Sequence, residues 1–332
     1  MKSAVIGGGS WGTALASVLS DLGPVKLWAR DPEIAERITQ TGRNPKYLTE
    51  FELAPHLTGT TLFEAALSDV DLVCIVVPSH AMRSVMSRAA AFIPPNALIV
   101  SASKGIENES LMTMEEVLLE VLPPANSHQV GFLSGPSFAR ETIARMATAV
   151  TIASRSPEVA KALQDTFSRR YFRAYTTDDV VGVELGGALK NVVAIAAGCI
   201  DGLGLGHNTM AALLTRGLAE ITRLAVARGA HPLTLSGLAG MGDLVLTCTG
   251  SLSRNRTVGY HLGQGHRLDD ILKTMNQVAE GVRTTKSAYH LARNVGVEMP
   301  IVTEVFRILY EGKPCKNALA DLMGRAPKEE RS

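Results

Sequence analysis

Neither sign of charge is in excess. Lys and Arg number 33 against 32 Asp and Glu, a net charge of +1, so there is no overall field to recruit nucleic acid or an anionic membrane. Cysteine is scarce: Cys74, Cys199, Cys248 and Cys315 are scattered without a CxxC pair. That reads as buried free thiols in a reducing compartment, not a disulfide framework or zinc site. The histidines show no HExxH or other metal spacing, which argues against metal-assisted chemistry; no metal and no serine nucleophile are expected. No apolar segment reaches the roughly 20 residues of a membrane span without meeting a charge, and Met1-Lys2-Ser3 leads straight into a strand-like run without the apolar core of a signal peptide. Internal repeats are lacking as well. The expectation is a soluble cytoplasmic protein that neither inserts in membranes nor binds nucleic acid. Its 332 residues, 46% of them hydrophobic, suffice for sizeable cores and, by length, about two domains.

One stretch stands out. Between Val183 and Ile200 the only polar side chains are Glu184, Lys190 and Asn191, in a run that otherwise reads as a helix buried on all sides. A lysine there loses hydration unless it is paired, and its pKa falls. Glu184 lies about 240° round the helix from it and is no intrahelical partner. Gly186 and Gly187, one turn before the lysine, predict the very close approach of another group. Lys190 is therefore a candidate proton donor or acceptor facing a bound small molecule; the plain alternative is a tight helix crossing from which the lysine snorkels to solvent.

The first half alternates strand and helix. Ala4-Val5-Ile6 leads into Gly7-Gly8-Gly9-Ser10-Trp11-Gly12 and a helical run, which is GxGxxG in the strand–turn–helix context that binds a dinucleotide pyrophosphate. Gly7 permits the turn, Gly9 lets the phosphates approach, and Gly12 lets the helix close on the strand. A second strand, Val25–Trp28, ends in Ala29-Arg30-Asp31. An arginine at this place suits the 2′-phosphate of NADPH, while Asp31-Pro32 also reads as a helix cap; NADPH is favoured, with NADH open. Apolar strands follow at 71–77, 97–100, 130–133 and 149–153, whose ends are expected along one edge of a single sheet. Past the second of these, Lys104 is either a cation aimed at a ligand or a solvated loop lysine. Past the third, Ser134-Gly135-Pro136-Ser137 is either an oxygen-binding turn or a plain helix cap.

From Val180 long helical segments take over, which places the boundary at 179/180: a Rossmann-like doubly wound α/β domain, 1–179, then an all-helical substrate and catalytic domain, 180–332. A helix capped by Asn208 or Thr209 runs to about Ala227. Asp243, after a glycine-rich loop, either orients Lys190, accepts a substrate hydroxyl, or caps the helix that follows. Ser251-Leu252-Ser253-Arg254-Asn255-Arg256 forms the densest donor cluster, suited to a phosphoryl group, or a solvated basic turn. Glu280 beside Gly281 is compatible with a nicotinamide or ribose contact.

The blocks GGGSWGTALA, VPSHAMR, SKGIE, LSGPSFA, ELGGALKNVVAIAAGCIDGLG, NTMAALLTRGLAEITRLA, GLAGMGDLVLTCTGSLSRNR and VAEGV resemble the bacterial NAD(P)H-dependent glycerol-3-phosphate dehydrogenases over almost the whole chain. The resemblance implies reduction of dihydroxyacetone phosphate to sn-glycerol 3-phosphate for phospholipid synthesis, in a cytoplasmic homodimer. It assigns proton transfer to Lys190, and cofactor contacts to Ser10, Trp11, Arg30, Tyr47, Lys104, Ala139, Arg254, Val278 and Glu280. Substrate contacts fall to Lys104, Gly135, Ser137, Lys190, Asp243, Ser253, Arg254 and Asn255. Two loops depart from the family pattern: Thr49 follows Tyr47-Leu48 where proline is usual, and Arg145-Met146-Ala147 replaces Gly-Leu-Pro. A related two-domain hydroxyacid dehydrogenase and a non-enzymatic dinucleotide-sensing dimer are the alternatives.

Overall fold

The computed structural model of the chain describes residues 1–275, 279–327 and 329. Its first part is built on one eight-stranded sheet. Strands β1 (Ser3–Ile6), β2 (Val25–Trp28), β3 (Leu57–Thr60), β4 (Leu72–Ile75), β5 (Leu98–Ser101), β6 (Val130–Ser134), β7 (Thr148–Ala153) and β8 (Phe172–Thr177) lie in the order β3-β2-β1-β4-β5-β6-β7-β8. The first six are parallel, in the doubly wound order whose reversal beside β1 makes a crevice at the strand carboxyl ends. Helices α1 (Ser10–Ser20), α2 (Pro32–Thr41), α3 (Phe63–Leu67), α4 (Met82–Ala89), α5 (Met114–Val121), α6 (Ala139–Ile143) and α7 (Pro157–Phe167) make the connections. Two separate apolar cores cover the faces of the sheet.

One expectation about the sheet is overturned. β7 pairs antiparallel to β6, with β8 parallel to β7, so Ala153 ends at the edge opposite the crevice and only the earlier strand ends converge. The connection explains the reversal: α6 has five residues, about 7.5 Å of helix, too short to carry the chain back along the sheet as a parallel crossover needs.

From Val180 the chain is helical: α8 (Val180–Gly202), α9 (His207–Ala227), α10 (Pro232–Ser236), α11 (Asp243–Thr249), α12 (Arg254–Gly263), α13 (Leu268–Thr274), α14 (Glu280–Asn294), α15 (Pro300–Tyr310) and α16 (Cys315–Met323). Helix α8 is the axis of this part. By length and composition it could cross a membrane even with Glu184 and Lys190 in it, yet 89% of its most apolar window is buried inside the fold, which makes it a core helix. Helix α12 crosses it backbone to backbone: a Cβ on Gly198 would stand 2.0 Å from the Arg256 carbonyl oxygen, and one on Gly259 1.9 Å from that of Ile195. Helix α9 starts two or three residues earlier than read, capped by Gly206 without a side-chain bond.

Both loops that depart from the family pattern carry a non-glycine residue at positive φ, Leu48 at 56° and Arg145 at 58°. That backbone costs an L-residue about 1–2 kcal/mol. Arg145 offsets it by donating to Asp21 at 2.8 Å and stacking over Tyr171.

Candidate active site

The glycine turn after β1 is shaped for a dinucleotide. Gly7 holds φ at +129°, and a Cβ on Gly12 would lie 1.8 Å from the Gly7 carbonyl oxygen, so turn and helix close on each other. A Cβ on Gly9 would meet nothing within 4 Å. That open flank lies at the N-terminus of α1, which no side chain caps, where backbone N–H groups and the helix dipole attract phosphate. Beside it the Trp11 indole nitrogen is buried with no hydrogen-bond partner among the described residues. A cradle with an open floor and free donors fits a pyrophosphate.

Ser10 begins α1, and Trp11, Tyr47 and Ala139 pack together against one sheet core. Asn44, unread in the sequence, arranges this corner: its amide donates to the Gly8 carbonyl at 3.0 Å and to Thr13, while its oxygen accepts from the backbone N–H groups of Lys46 and Tyr47. A lone Asn in a loop gives little sequence signal. At the end of β2, Asp31 caps α2 by accepting from the Glu33 N–H and binds Lys46 at 2.6 Å. Its carboxylate is engaged, whereas Arg30 is exposed.

The polar centre forms where α8 faces the ends of β5 and β6. Lys190, 7% exposed, donates to Oδ1 of Asp243, 1% exposed. Lys104 donates to Oδ2 of the same carboxylate at 2.7 Å and lies 3.4 Å from the Gly135 carbonyl oxygen, which also accepts from Ser137 at 3.0 Å. One carboxylate thus bridges two lysines. Burial pulls the Lys190 ammonium down to about 7, Asp243 opposing and Lys104 adding to the fall. Burial would raise the Asp243 carboxyl, but the two lysines outweigh it and hold it below the usual carboxylate range.

Several open sequence readings close here. Gly242 precedes α11 and Asp243 is the helix's first residue, so the aspartate orients lysines and does not cap. Ser137 is no cap either, since α6 starts at Ala139 behind Phe138. The group predicted to crowd the paired glycines is found: a Cβ on Gly187 would meet Ser134 Oγ at 2.7 Å and Lys104 at 3.6 Å, and one on Gly186 the Ala239 carbonyl at 2.7 Å. Glu184 turns away to accept from the Glu115 N–H at 3.0 Å. Ser134 Oγ, 3.5 Å from Asp243, and Thr247, which bonds the Asp243 carbonyl at 2.6 Å, support the carboxylate.

The donor cluster at α12 divides its work. Ser253 caps the helix by accepting from the Arg256 N–H at 3.3 Å. Asn255 bonds Asn191, the neighbour of Lys190 on α8, at 2.8 Å and accepts from the Gly281 N–H. Arg256 is fixed on Asp201 at 2.7 Å. Of its two arginines Arg254 alone has an exposed surface, though desolvation around the guanidinium lowers its pKa against the pull of Glu280 and Tyr47. Glu280 accepts from Ser79, beyond the end of β4, at 2.8 Å, and burial raises its carboxyl above the ordinary range. Val278 lies outside the described residues.

A glycine cradle at the switch point of a doubly wound sheet, with a desolvated amine set beyond the strand ends, defines a nicotinamide-dependent oxidoreductase. Comparison with known proteins names the kind. The family models for the N-terminus and C-terminus of NAD-dependent glycerol-3-phosphate dehydrogenase match residues 2–160 and 179–320. A glycerol-3-phosphate dehydrogenase (NAD(P)+) of Geobacter sulfurreducens is 55% identical over 328 residues, 98% of each chain; that of Myxococcus xanthus is 53% identical over 99% of each. The solved glycerol-3-phosphate dehydrogenase of Coxiella burnetii matches with a TM-score of 0.92 and 39% identity, covering 98% of this chain and 99% of that one. The chain belongs to the NAD-dependent glycerol-3-phosphate dehydrogenase family, and its cofactor is NADH or NADPH. The hydroxyacid and non-enzymatic alternatives give way to this.

Proposed function

We propose that the chain reduces dihydroxyacetone phosphate to sn-glycerol 3-phosphate at the Lys190 centre, in the cytoplasm and as a homodimer, supplying the glycerol backbone of phospholipids. In this reading residues 1–179 carry the cofactor and residues 180–332 the chemistry. The observation that carries it is an amine buried on α8 and kept protonatable near neutrality by one carboxylate.

The pyrophosphate would rest on Gly7, Gly9, Ser10, Trp11 and Gly12, with Arg30, Tyr47, Ala139 and Glu280 along the rest of the dinucleotide. When bound, the nicotinamide supplies the hydride. Lys190 donates its proton to the oxygen of the C2 carbonyl as charge develops there, and in the oxidation direction takes it back. Asp243 keeps Lys190 from losing that proton too readily and holds Lys104 close enough to add positive charge at the same oxygen. Arg254 grips the phosphate bidentately, joined by the free backbone N–H groups of the first turn of α12. Ser253 shapes that turn, and Asn255 fixes it against α8 beside Lys190. Gly135 and Ser137 line the approach.

Spectrophotometric NADPH oxidation tests the reading. Arg254→Ala should raise the KM for dihydroxyacetone phosphate roughly 10- to 100-fold, the loss of one or two charge-assisted bonds, while turnover of a non-phosphorylated ketone changes little. Equal weakening of both substrates would remove the phosphate from Arg254.

A further inference from the structure

Two of the four cysteines stand outside this chemistry and border one cavity. Cys199 lies on the last turn of α8 and Cys315 opens α16. Both thiols are free and buried in the core of the helical part. Both also line a cavity of about 730 Å³ bounded by α8, α9, α15 and α16. The other two differ: Cys74 sits in the middle of the sheet, Cys248 in α11, and neither borders that cavity.

The two thiols are chemically unequal partners. Each is the leading influence on the other's ionisation, which holds the proton on Cys199 and loosens the one on Cys315. Cys315 also begins a nine-residue helix whose first turn has no side-chain cap, a position where backbone N–H groups favour thiolate. Cys248 has no such neighbour, and burial pushes its thiol up to about 12.

We propose that Cys199 and Cys315 form a dithiol modification site, oxidised by peroxide admitted through the cavity to a reversible disulfide that fastens α16 to α8. The Cys315 thiolate attacks one oxygen of hydrogen peroxide. The O–O bond breaks, the departing hydroxide takes the thiol's proton and leaves as water, and Cys315 becomes a sulfenic acid. The Cys199 sulfur then displaces the sulfenic hydroxyl, which leaves with the Cys199 proton as a second water. Two thiols are oxidised and one peroxide is reduced. A thiol reductant reverses the bond, as a reducing compartment would. Lys190 stands nine residues earlier on α8, about 13 Å along the axis, so the link fastens the C-terminal helix without entering the reaction centre.

The reduced full-length protein, treated with hydrogen peroxide, alkylated and digested with trypsin, decides the matter by mass. The expected product is peptide 191–216 joined to peptide 308–316 with loss of two hydrogens, and it disappears on reduction with dithiothreitol. Cys199→Ser should halt the sequence at the sulfenic acid, so that Cys315 is labelled by dimedone while NADPH-dependent turnover is unchanged. If that variant misfolds, Cys315→Ala serves instead: the joined peptide vanishes and Cys199 stays alkylatable. Recovery of Cys315 unmodified after peroxide, or joined to peptide 229–254 through Cys248, would overturn the proposal.

Discussion

At the scale of single residues, the balance at Lys190 sets the pH behaviour. In the proposed mechanism reduction needs the charged ammonium of Lys190 as donor. Its rate should therefore be highest below about pH 7 and fall as pH rises through that value, and oxidation should do the reverse. Asp243 supplies the one nearby negative charge that opposes burial, while Lys104 pushes the same way as burial. Asp243→Asn removes the opposition and leaves the push. The descending limb for reduction should move to lower pH by about one unit, equivalent to about 1.4 kcal/mol, and kcat near pH 7 should drop roughly 5-fold as the protonated fraction falls from about one half to about one in eleven. A limb that stays in place would mean that the carboxylate only packs there. Much of this was legible beforehand, because a lysine among aliphatic residues is an anomaly that demands a partner or a function. Its partner was not, since an aspartate ahead of an apolar run reads equally as a cap. Asn44 and Ser79 gave no signal at all; their roles depend on contacts with Gly8 and Glu280 that only the tertiary fold creates.

At the scale of elements, the α8–α12 crossing would align the two halves of the proposed chemistry, because α8 carries Lys190 and α12 carries Arg254. Gly198→Ala would set a methyl 2.0 Å from the Arg256 carbonyl oxygen and 2.6 Å from the Tyr260 nitrogen. The helices must part, at a cost of about 1–3 kcal/mol, and the α12 terminus moves away from Lys190. We expect a lower denaturation midpoint together with a raised KM for dihydroxyacetone phosphate; a midpoint loss with KM intact would separate stability from alignment. The direction of β7 escaped the sequence reading because an apolar run does not reveal which way it points, and the length of the short α6 was the only cue. β8 escaped although its pattern was present: Phe172 and Ala174 are buried, and Arg173 and Tyr175 exposed, the alternation of a half-buried strand. β3 had less to offer, four residues of which Leu57 alone is buried.

At the scale of the whole molecule, a sheet that ends in a crevice and a helical bundle that holds a buried amine meet at the proposed centre, tied by Ser79 to Glu280 and by Lys104 to Asp243. The alternation of apolar strands with helices and the glycine fingerprint were enough to read the doubly wound sheet, since both are local in sequence. In the proposed reading the choice between NADPH and NADH turns on a single side chain. With Asp31 bound to Lys46 and the α2 terminus, Arg30 is the group left for a 2′-phosphate. Arg30→Ala should raise the KM for NADPH roughly 10- to 100-fold and that for NADH little; equal effects would favour NADH as the working cofactor. The central claim, that the buried amine of Lys190 carries the proton, is tested most directly by single-turnover rates of NADPH oxidation with dihydroxyacetone phosphate from about pH 5.5 to about pH 9, in the wild type and in Lys190→Ala. The account predicts a wild-type rate that falls through a pKa near 7, and a variant slower by a factor on the order of 10² to 10⁴, flat over that limb, with NADPH affinity unchanged. A variant that turns over at close to the wild-type rate, or that keeps the same limb, would contradict it.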